Sequence, residues 1–555
     1  MSMGSAPSYG KHSEAVISRI APWRVLLPPA ALALLLGLWG LDRGGSMWRD
    51  ESVTWQVAHR PLGELWELLG RVDAVHGLYY LLMHGVFAVS DGAGAHAAAG
   101  AAGGLWALRL PSVAATALAA AGVAAIGHRL AGARGGRAGE GAGGRAGEGA
   151  GGRAGEGAGG RAGEEAGGRA DERAGGRADE RAGGRADGRA GEWAGGRAGG
   201  QAGEWAGGRA GGRAGEWAGL WAGLLYAVLP PVQMYAQEGR SYALVAAAVV
   251  WATYLLLRER WVPYTALLVL ACWLHEFAVL ALLAHAVTGW RSRAWRRSAA
   301  VVVVLLLPLA VLSAGQAGQQ LAWLGRPSAA DWAAYAVVAT ASLLLARGAD
   351  RELVRVALPL ALLPAGLLMT VSLVHPWYVD RYVLYSLAGL ALLAGAARPR
   401  VLLPLTAVLV AAAVPWSLWL RTPESRKDDA LAVAGAVRAV ARPGDAVLFM
   451  PARRREWLLS SPEVYEGLRD VALAGSPAAS DSLQGTELPS AEILARLVDS
   501  PRVVAVQDPA DQPRDPYPRE AVKRQTLVGH FELCSVTEVR GARVALYARP
   551  GECGR

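Results

Sequence analysis

Phenylalanine is scarce in this chain, 4 of 555 residues, and cysteine scarcer still at 3, which excludes a small disulfide-held scaffold. No D-x-D occurs, so the usual aspartates for a metal-held nucleotide diphosphate are missing. No G-x-x-x-x-G-K-[ST] loop occurs either, which argues against ATP-driven transport. Short H-x-x-x-H and C-x-x-C spacings are also lacking. Only His76, His275 and His375, drawn from separate loops, are left to ligate zinc, and neither a metal nor another cofactor is expected. What the chain does have is 53% hydrophobic residues and 21 tryptophans, a composition that rules out a disordered protein.

The apolar residues come in blocks. Segments 24–42 and 400–420 have about the 20 residues needed to cross a bilayer core and no polar face, so neither reads as a soluble amphipathic helix. Eleven candidate spans follow: 24–42, 106–130, 219–236, 241–257, 261–275, 277–290, 299–314, 331–346, 353–374, 382–397 and 400–420. Residues 1–23, with Lys11 and Arg19, read as a cytoplasmic tail ahead of a retained first span, since the apolar run is too long for a signal peptide. The formal charge of +9 does not point to nucleic acid, because the arginines flank apolar blocks and do not interleave with aromatic stacking positions.

Between Arg134 and Ala218 the motif R-A-G-E-G-A-G-G recurs, with nearly balanced charge and few large apolar groups. No core can form there to offset ordering entropy, so 134–218 reads as a disordered insertion in a cytoplasmic loop. With the N-terminus cytoplasmic, this repeat and the clusters Arg258/Arg260, Arg291–Arg297, Arg347–Arg355 and Arg398–Arg400 all fall inside, as the positive-inside rule requires. The C-terminal region then lies outside. There Cys534 and Cys553 can pair if that face is oxidising, and the sequence leaves the pairing open.

This orientation gathers ionisable residues at the outer ends of spans: Asp50, Glu51, His76, Glu238, Arg240, His275, Glu276, His375, Asp380 and Arg381. Such a gathering is a site hypothesis by default. The first outer loop, 43–105, carries W-R-D-E at 48–51 and then two segments, 54–69 and 77–90, expected as helices lying in the membrane interface. The region 421–555 alternates helix-like runs (427–441, 490–499, 517–526) with strand-like runs (445–451, 502–508, 530–536, 542–548), a small α/β domain with a partly parallel sheet.

W-R-D-E, H-G-L-Y-Y-L-L-M-H at 76–84, A-L-R-L-P-S at 107–112, Q-E-G-R-S-Y at 237–242, the His275 hairpin and D-R-Y-V-L-Y at 380–385 together resemble the protein O-mannosyltransferase and aminoarabinose transferase group. The likeness is to bacterial, actinobacterial-type members. It implies a GT-C-like polytopic helical membrane protein of about eleven transmembrane helices that takes a polyprenyl-phosphate sugar as donor. The family often has proline after the loop histidine, where this chain has Gly77.

The chemistry runs parallel to the resemblance. A lipid-linked sugar keeps its tail in the bilayer and its sugar at the water boundary, where the polar residues lie. Inverting transfer needs one carboxylate to take the acceptor proton; Asp50 is the expected base, with Glu51 beside it. Arg381 suits the leaving lipid phosphate. His76, Tyr79, Glu238, Arg240, Tyr242 and His275 are the expected substrate-binding residues; Glu238 and Arg240 can also pair with each other or brace Asp50. The expected partners are the lipid-linked donor, membrane lipids and an extracytoplasmic acceptor, either a protein, a lipid or a cell-wall glycan. Two rival readings remain: a transporter or flippase, whose broken midplane helices are not evident, and a noncatalytic scaffold, in which Asp50 would be freely replaceable.

Overall fold

Proline and glycine decide where the apolar blocks break. The computed structural model describes residues 21–92, 104–132, 213–320 and 324–554. The expected tail up to residue 20 and the repeat up to residue 212 lie outside them. Helix begins at residue 213, within the last R-A-G-E-W-A-G unit, and runs on into Leu220, Trp221, Leu224 and Leu225, where the apolar pattern takes over from the repeat.

The first part of the chain is almost wholly helical. It comprises α1 (Trp23–Leu38), α2 (Arg49–Ala58), α3 (Leu62–Leu69), α4 (Gly77–Gly92) and α5 (Gly104–Gly132). After the repeat come α6 (213–228), α7 (Pro230–Ala236), α8 (Tyr242–Leu257), α9 (Trp261–Leu274) and α10 (Ala281–Gly289). Then follow α11 (Arg293–Gln320), α12 (Ala329–Ala346), α13 (Arg351–Val371), α14 (Leu387–Gly395) and α15 (Pro399–Leu420). Among the described residues, α5, α11, α12, α13 and α15 are long and apolar enough to cross a membrane. Their apolar side chains point outward as well as inward: Val304 and Val311 on α11, Val337 on α12 and Leu403 and Val408 on α15 are exposed. A water-facing surface does not carry such a belt, which indicates membrane association.

The other expected spans are helical but shorter or interrupted. The 219–236 block divides at Leu229, because Pro230 and Pro231 open a new helix and lack the amide that would continue the old one. The 382–397 block begins as a 3-10 segment, Asp380–Ser386, and becomes α14. The 277–290 block begins in the same way, with Glu276–Leu280. The expected single helix over 54–69 is corrected to two, α2 and α3, parted at Pro61 for the same steric reason.

The C-terminal region is a small α/β unit with α16 (Ala430–Val440), α17 (Arg455–Leu459), α18 (Pro462–Tyr465), α19 (Ser490–Val498) and α20 (Pro518–His530). Its strands are β1 (Ala446–Met450), β2 (Arg469–Asp470), β3 (Leu473–Gly475), β4 (Thr486–Glu487), β5 (Arg502–Gln507), β6 (Glu532–Val539) and β7 (Ala542–Ala548). The main sheet has the order β2-β1-β5-β7-β6, parallel through the first three strands and antiparallel in the last pairings. Alternation along β1 explains its burial on both faces: Val447 and Phe449 join one apolar cluster, Ala446 and Leu448 the other. A disulfide joins Cys534 on β6 to Cys553.

Candidate functional site

The two acids of W-R-D-E sit in the first turn of α2, where the helix's free amides favour negative charge. Consecutive helical residues point about 100° apart. Asp50 and Glu51 therefore serve different surroundings.

Glu51 faces inward and is fully buried. Arg109 of α5 grips it with a fork, Nε to Oε1 at 2.7 Å and Nη2 to Oε2 at 2.7 Å. Arg43 Nη2 donates to both oxygens at 2.9 and 3.0 Å, and the Gly239 amide donates to Oε1 at 3.0 Å. Burial on its own would raise the Glu51 carboxyl; Arg109 and Arg43 outweigh it and bring the value down to about 2. With both oxygens engaged, this carboxylate is not offered to a substrate. The expectation that Glu51 shares the catalytic role is thus corrected to a structural one.

Asp50 faces a cavity of about 420 Å³ and stands in its wall with Arg49, Asp73, His76, Arg240, Tyr242, His275 and Arg381. Arg381 Nη2 lies 3.5 Å from one Asp50 oxygen and Arg240 Nη2 3.8 Å from the other. Burial pushes the Asp50 carboxyl up, but Arg240, Arg381 and Arg49 together hold it below its usual value. Arg381 is steadied by Tyr242, whose hydroxyl oxygen accepts from Nε at 3.1 Å, and by the flanking Trp48 and Tyr382 rings. His76 and His275 meet edge to face with centroids 5.9 Å apart, and each has a buried Nδ1 without a hydrogen-bond partner. Burial and then Arg240 depress the His76 imidazole well below its ordinary value, so it is neutral at physiological pH.

The rest of the lining is largely apolar, apart from Ser313, whose hydroxyl donates to Glu276, an expected outer-face acid that also stands in the wall. Leu306, Ala310, Ala314 and Ala317 recur at helical spacing along α11 and line the cavity with Phe277 and Val279. Leu483 of the C-terminal unit lines it from that unit's side.

Two expected residues are placed elsewhere. Glu238 is buried in the turn before α8, off the helix, so it does not share a face with Tyr242. It pairs with Arg426 Nε at 3.1 Å, not with Arg240 or Asp50. Tyr79 and Tyr80 are both fully buried and neither lines the cavity; Tyr80 stands behind two residues that do, accepting from Arg240 Nη1 at 3.3 Å and donating to Asp73. His375 is exposed and stacks on Trp377, away from His76 and His275. Among the described residues no group of three or more His, Cys, Asp or Glu side chains is placed to hold a metal ion.

Residues that carried no assigned role in the sequence, Arg109 of A-L-R-L-P-S among them, complete the arrangement. Arg43, Arg109 and Arg426 surround Glu51 and Glu238 beneath α2. From the C-terminal unit, Glu456 of α17 holds the Arg49 side chain at 3.0 Å and Asp428 accepts the Arg49 amide at 2.6 Å. The basic residue at each of these positions is visible in the sequence, but nothing local tells which acid it will meet. No family model, curated protein or solved structure matches the chain.

Proposed function

We propose that this protein is an integral membrane glycosyltransferase that moves a hexose from a polyprenyl-phosphate carrier to a hydroxyl of an extracytoplasmic protein, lipid or glycan. The observation that carries this reading is the meeting of Asp50 and Arg381, 331 residues apart in sequence, at 3.5 Å in a cavity lined by arginines and carboxyls on one part and by a largely apolar face of α11 on another. An amphiphile with a phosphate between a polar sugar and an apolar tail fits those two parts together.

In the proposed step Asp50 takes the acceptor hydroxyl proton as that oxygen forms its bond to the anomeric carbon. The bond from the anomeric carbon to the phosphate oxygen breaks with its electron pair, leaving a polyprenyl phosphate and an inverted glycoside. Arg381 and Arg240 meet the charge that grows on the leaving phosphate, and the surrounding protein keeps them desolvated enough for this to count.

The membrane arrangement belongs to the same reading: about eleven crossings, a cytoplasmic N-terminus and repeat, and an extracytoplasmic C-terminal unit. The Cys534–Cys553 disulfide supports an oxidising side for that unit. A cysteine replacing Ala138 should then label only in permeabilised cells, and labelling in intact cells would reverse the orientation.

The central test uses membranes carrying wild type or Asp50→Asn, supplied with a radiolabelled polyprenyl-phosphate hexose. Label is expected to pass into non-lipid material with wild type and to fall about 100-fold or more with the variant. Equal transfer by both would remove Asp50 as the base. Label crossing the bilayer while still on its lipid would favour a flippase.

A further inference from the structure

Two further carboxyls share the cavity with Asp50: Glu276, which accepts the Ser313 hydroxyl beside α11, and Asp73, which lies on the arginine side. Asp73 holds φ at +63°, a left-handed conformation that residues other than glycine adopt at a cost and that persists where the surroundings impose it. It precedes the 3-10 turn Ala74–His76. An aspartate in that place ordinarily turns its side chain back to cap the free amides of the turn, and Asp73 makes no such bond. Gln316 of α11 takes over: its Oε1 accepts the Ala74 amide at 3.0 Å, while its own amide donates to the Leu69 carbonyl at 2.9 Å. The Asp73 carboxylate, released from capping, accepts the Tyr80 hydroxyl and lines the cavity. Arg240 connects Asp73 to Asp50, its Nη1 lying 3.3 Å from the Tyr80 oxygen and its Nη2 3.8 Å from Asp50.

Resting on the transfer reading above, we propose that Asp73, positioned by Tyr80 and Arg240, recognises the sugar of the donor by accepting hydrogen bonds from its ring hydroxyls. An ionised carboxylate only accepts, and a hexose presents several O–H donors. The phosphate is drawn to Arg240 and Arg381 and is repelled by an acid, and the sugar is joined directly to the phosphate. Asp73, one residue contact from Arg240, therefore meets the sugar and not the phosphate. The hydrogen bond from Tyr80 is what holds its side chain in the cavity wall.

The test measures binding to the purified full-length protein in detergent, without acceptor, of undecaprenyl-phosphate mannose and of bare undecaprenyl phosphate. Wild type is expected to prefer the mannose-bearing lipid by roughly tenfold or more, the scale of a hydrogen bond to a charged group. Asp73→Asn and Asp73→Ala are expected to shrink that preference, the second to nothing, while the affinity for the bare lipid does not fall below that of wild type and reports an intact fold. A preference retained in Asp73→Ala, or an equal loss for both lipids, would overturn the assignment. Wild type binding both lipids alike would sink the role of Asp73 and leave the transfer reading standing; wild type binding neither would sink both.

Discussion

At residue scale, adjacent acids divide two tasks. Glu51 is enclosed by Arg43 and Arg109, with all three side chains fully buried. Removing one charge from such a group leaves its partners uncompensated, at a cost of about 3–5 kcal/mol. Glu51→Gln is therefore expected to lower the melting temperature or the yield of folded protein. Its pH signature fixes the cause. The Glu51 carboxyl falls from 4.5 to about 2 on folding, so its contribution is complete above about 4.5 and drains away as pH drops toward 2. Thermal melts across that range should show a steeper acid decline for wild type than for Glu51→Gln. Parallel curves would mean that the clamp does not carry this stability. The choice of Asp50 over Glu51 was already half legible, since neighbouring side chains on a helix diverge. What shows Glu51 already engaged is Arg109, 58 positions on, whose partner no local pattern announces. Asp73 was hidden for a related reason: its contacts with Tyr80 and, through it, Arg240, 167 positions on, are announced by no local pattern.

At the scale of elements, the start of α2 is anchored from the C-terminal unit, which ties the placement of Asp50 to a region far from the spans. Met47 and Arg49 donate their amides to Asp429 and Asp428, and the Met47 carbonyl accepts the Ala430 amide that begins α16. Burial pushes the Asp428 carboxyl up from 3.8 to about 6; Asp50 adds to the rise, while the Arg49 amide and the charges of Arg49 and Arg454 oppose it. A carboxyl raised on folding binds more protons in the folded state. Stability at this junction is therefore greatest below about pH 4 and declines as pH climbs toward 6. Asp428→Asn keeps an oxygen for the Arg49 amide and cannot ionise. It should melt with wild type near pH 4 and above wild type at pH 7; a variant less stable than wild type at pH 7 would show that the ionised form supports the junction. The strands of this unit were legible because short continuous apolar runs such as 446–450 and 502–507, buried on both faces, stand between turn residues. Its attachment to α2 was not, since the contacts join residues nearly 400 positions apart through main-chain groups common to every sequence.

On the scale of the whole molecule, the long repeat interrupts a pair of helices without parting them. A side chain added at Gly215 of α6 would come within 2.7 Å of the His128 carbonyl and 2.9 Å of the Gly132 Cα, and one at Gly219 within 2.5 Å of the Ala124 carbonyl. Glycine is what lets the α5 and α6 backbones touch there. The chain thus leaves α5 and re-enters α6 at neighbouring points, so residues 133–212 span almost no distance, and loop-closure entropy changes only slowly with loop length. The sequence sets the far edge of the insertion at residue 218, since W-A-G looks like one more repeat unit, whereas α6 begins at residue 213; the Glu216 contact with Arg24 and the stacked Trp217 and Trp221 place that last unit within the packed helices. A deletion must respect this edge. Removing 137–208 leaves eight linker residues, enough to join helices that already meet, and transfer from the polyprenyl-phosphate hexose is expected to stay within about twofold of wild type. Removing 137–219 instead takes away the Gly215 and Gly219 contacts and should reduce folded protein. If the shorter deletion expresses normally and transfer is lost, the repeat is a working part of the enzyme and not an insertion that the helix pair merely tolerates.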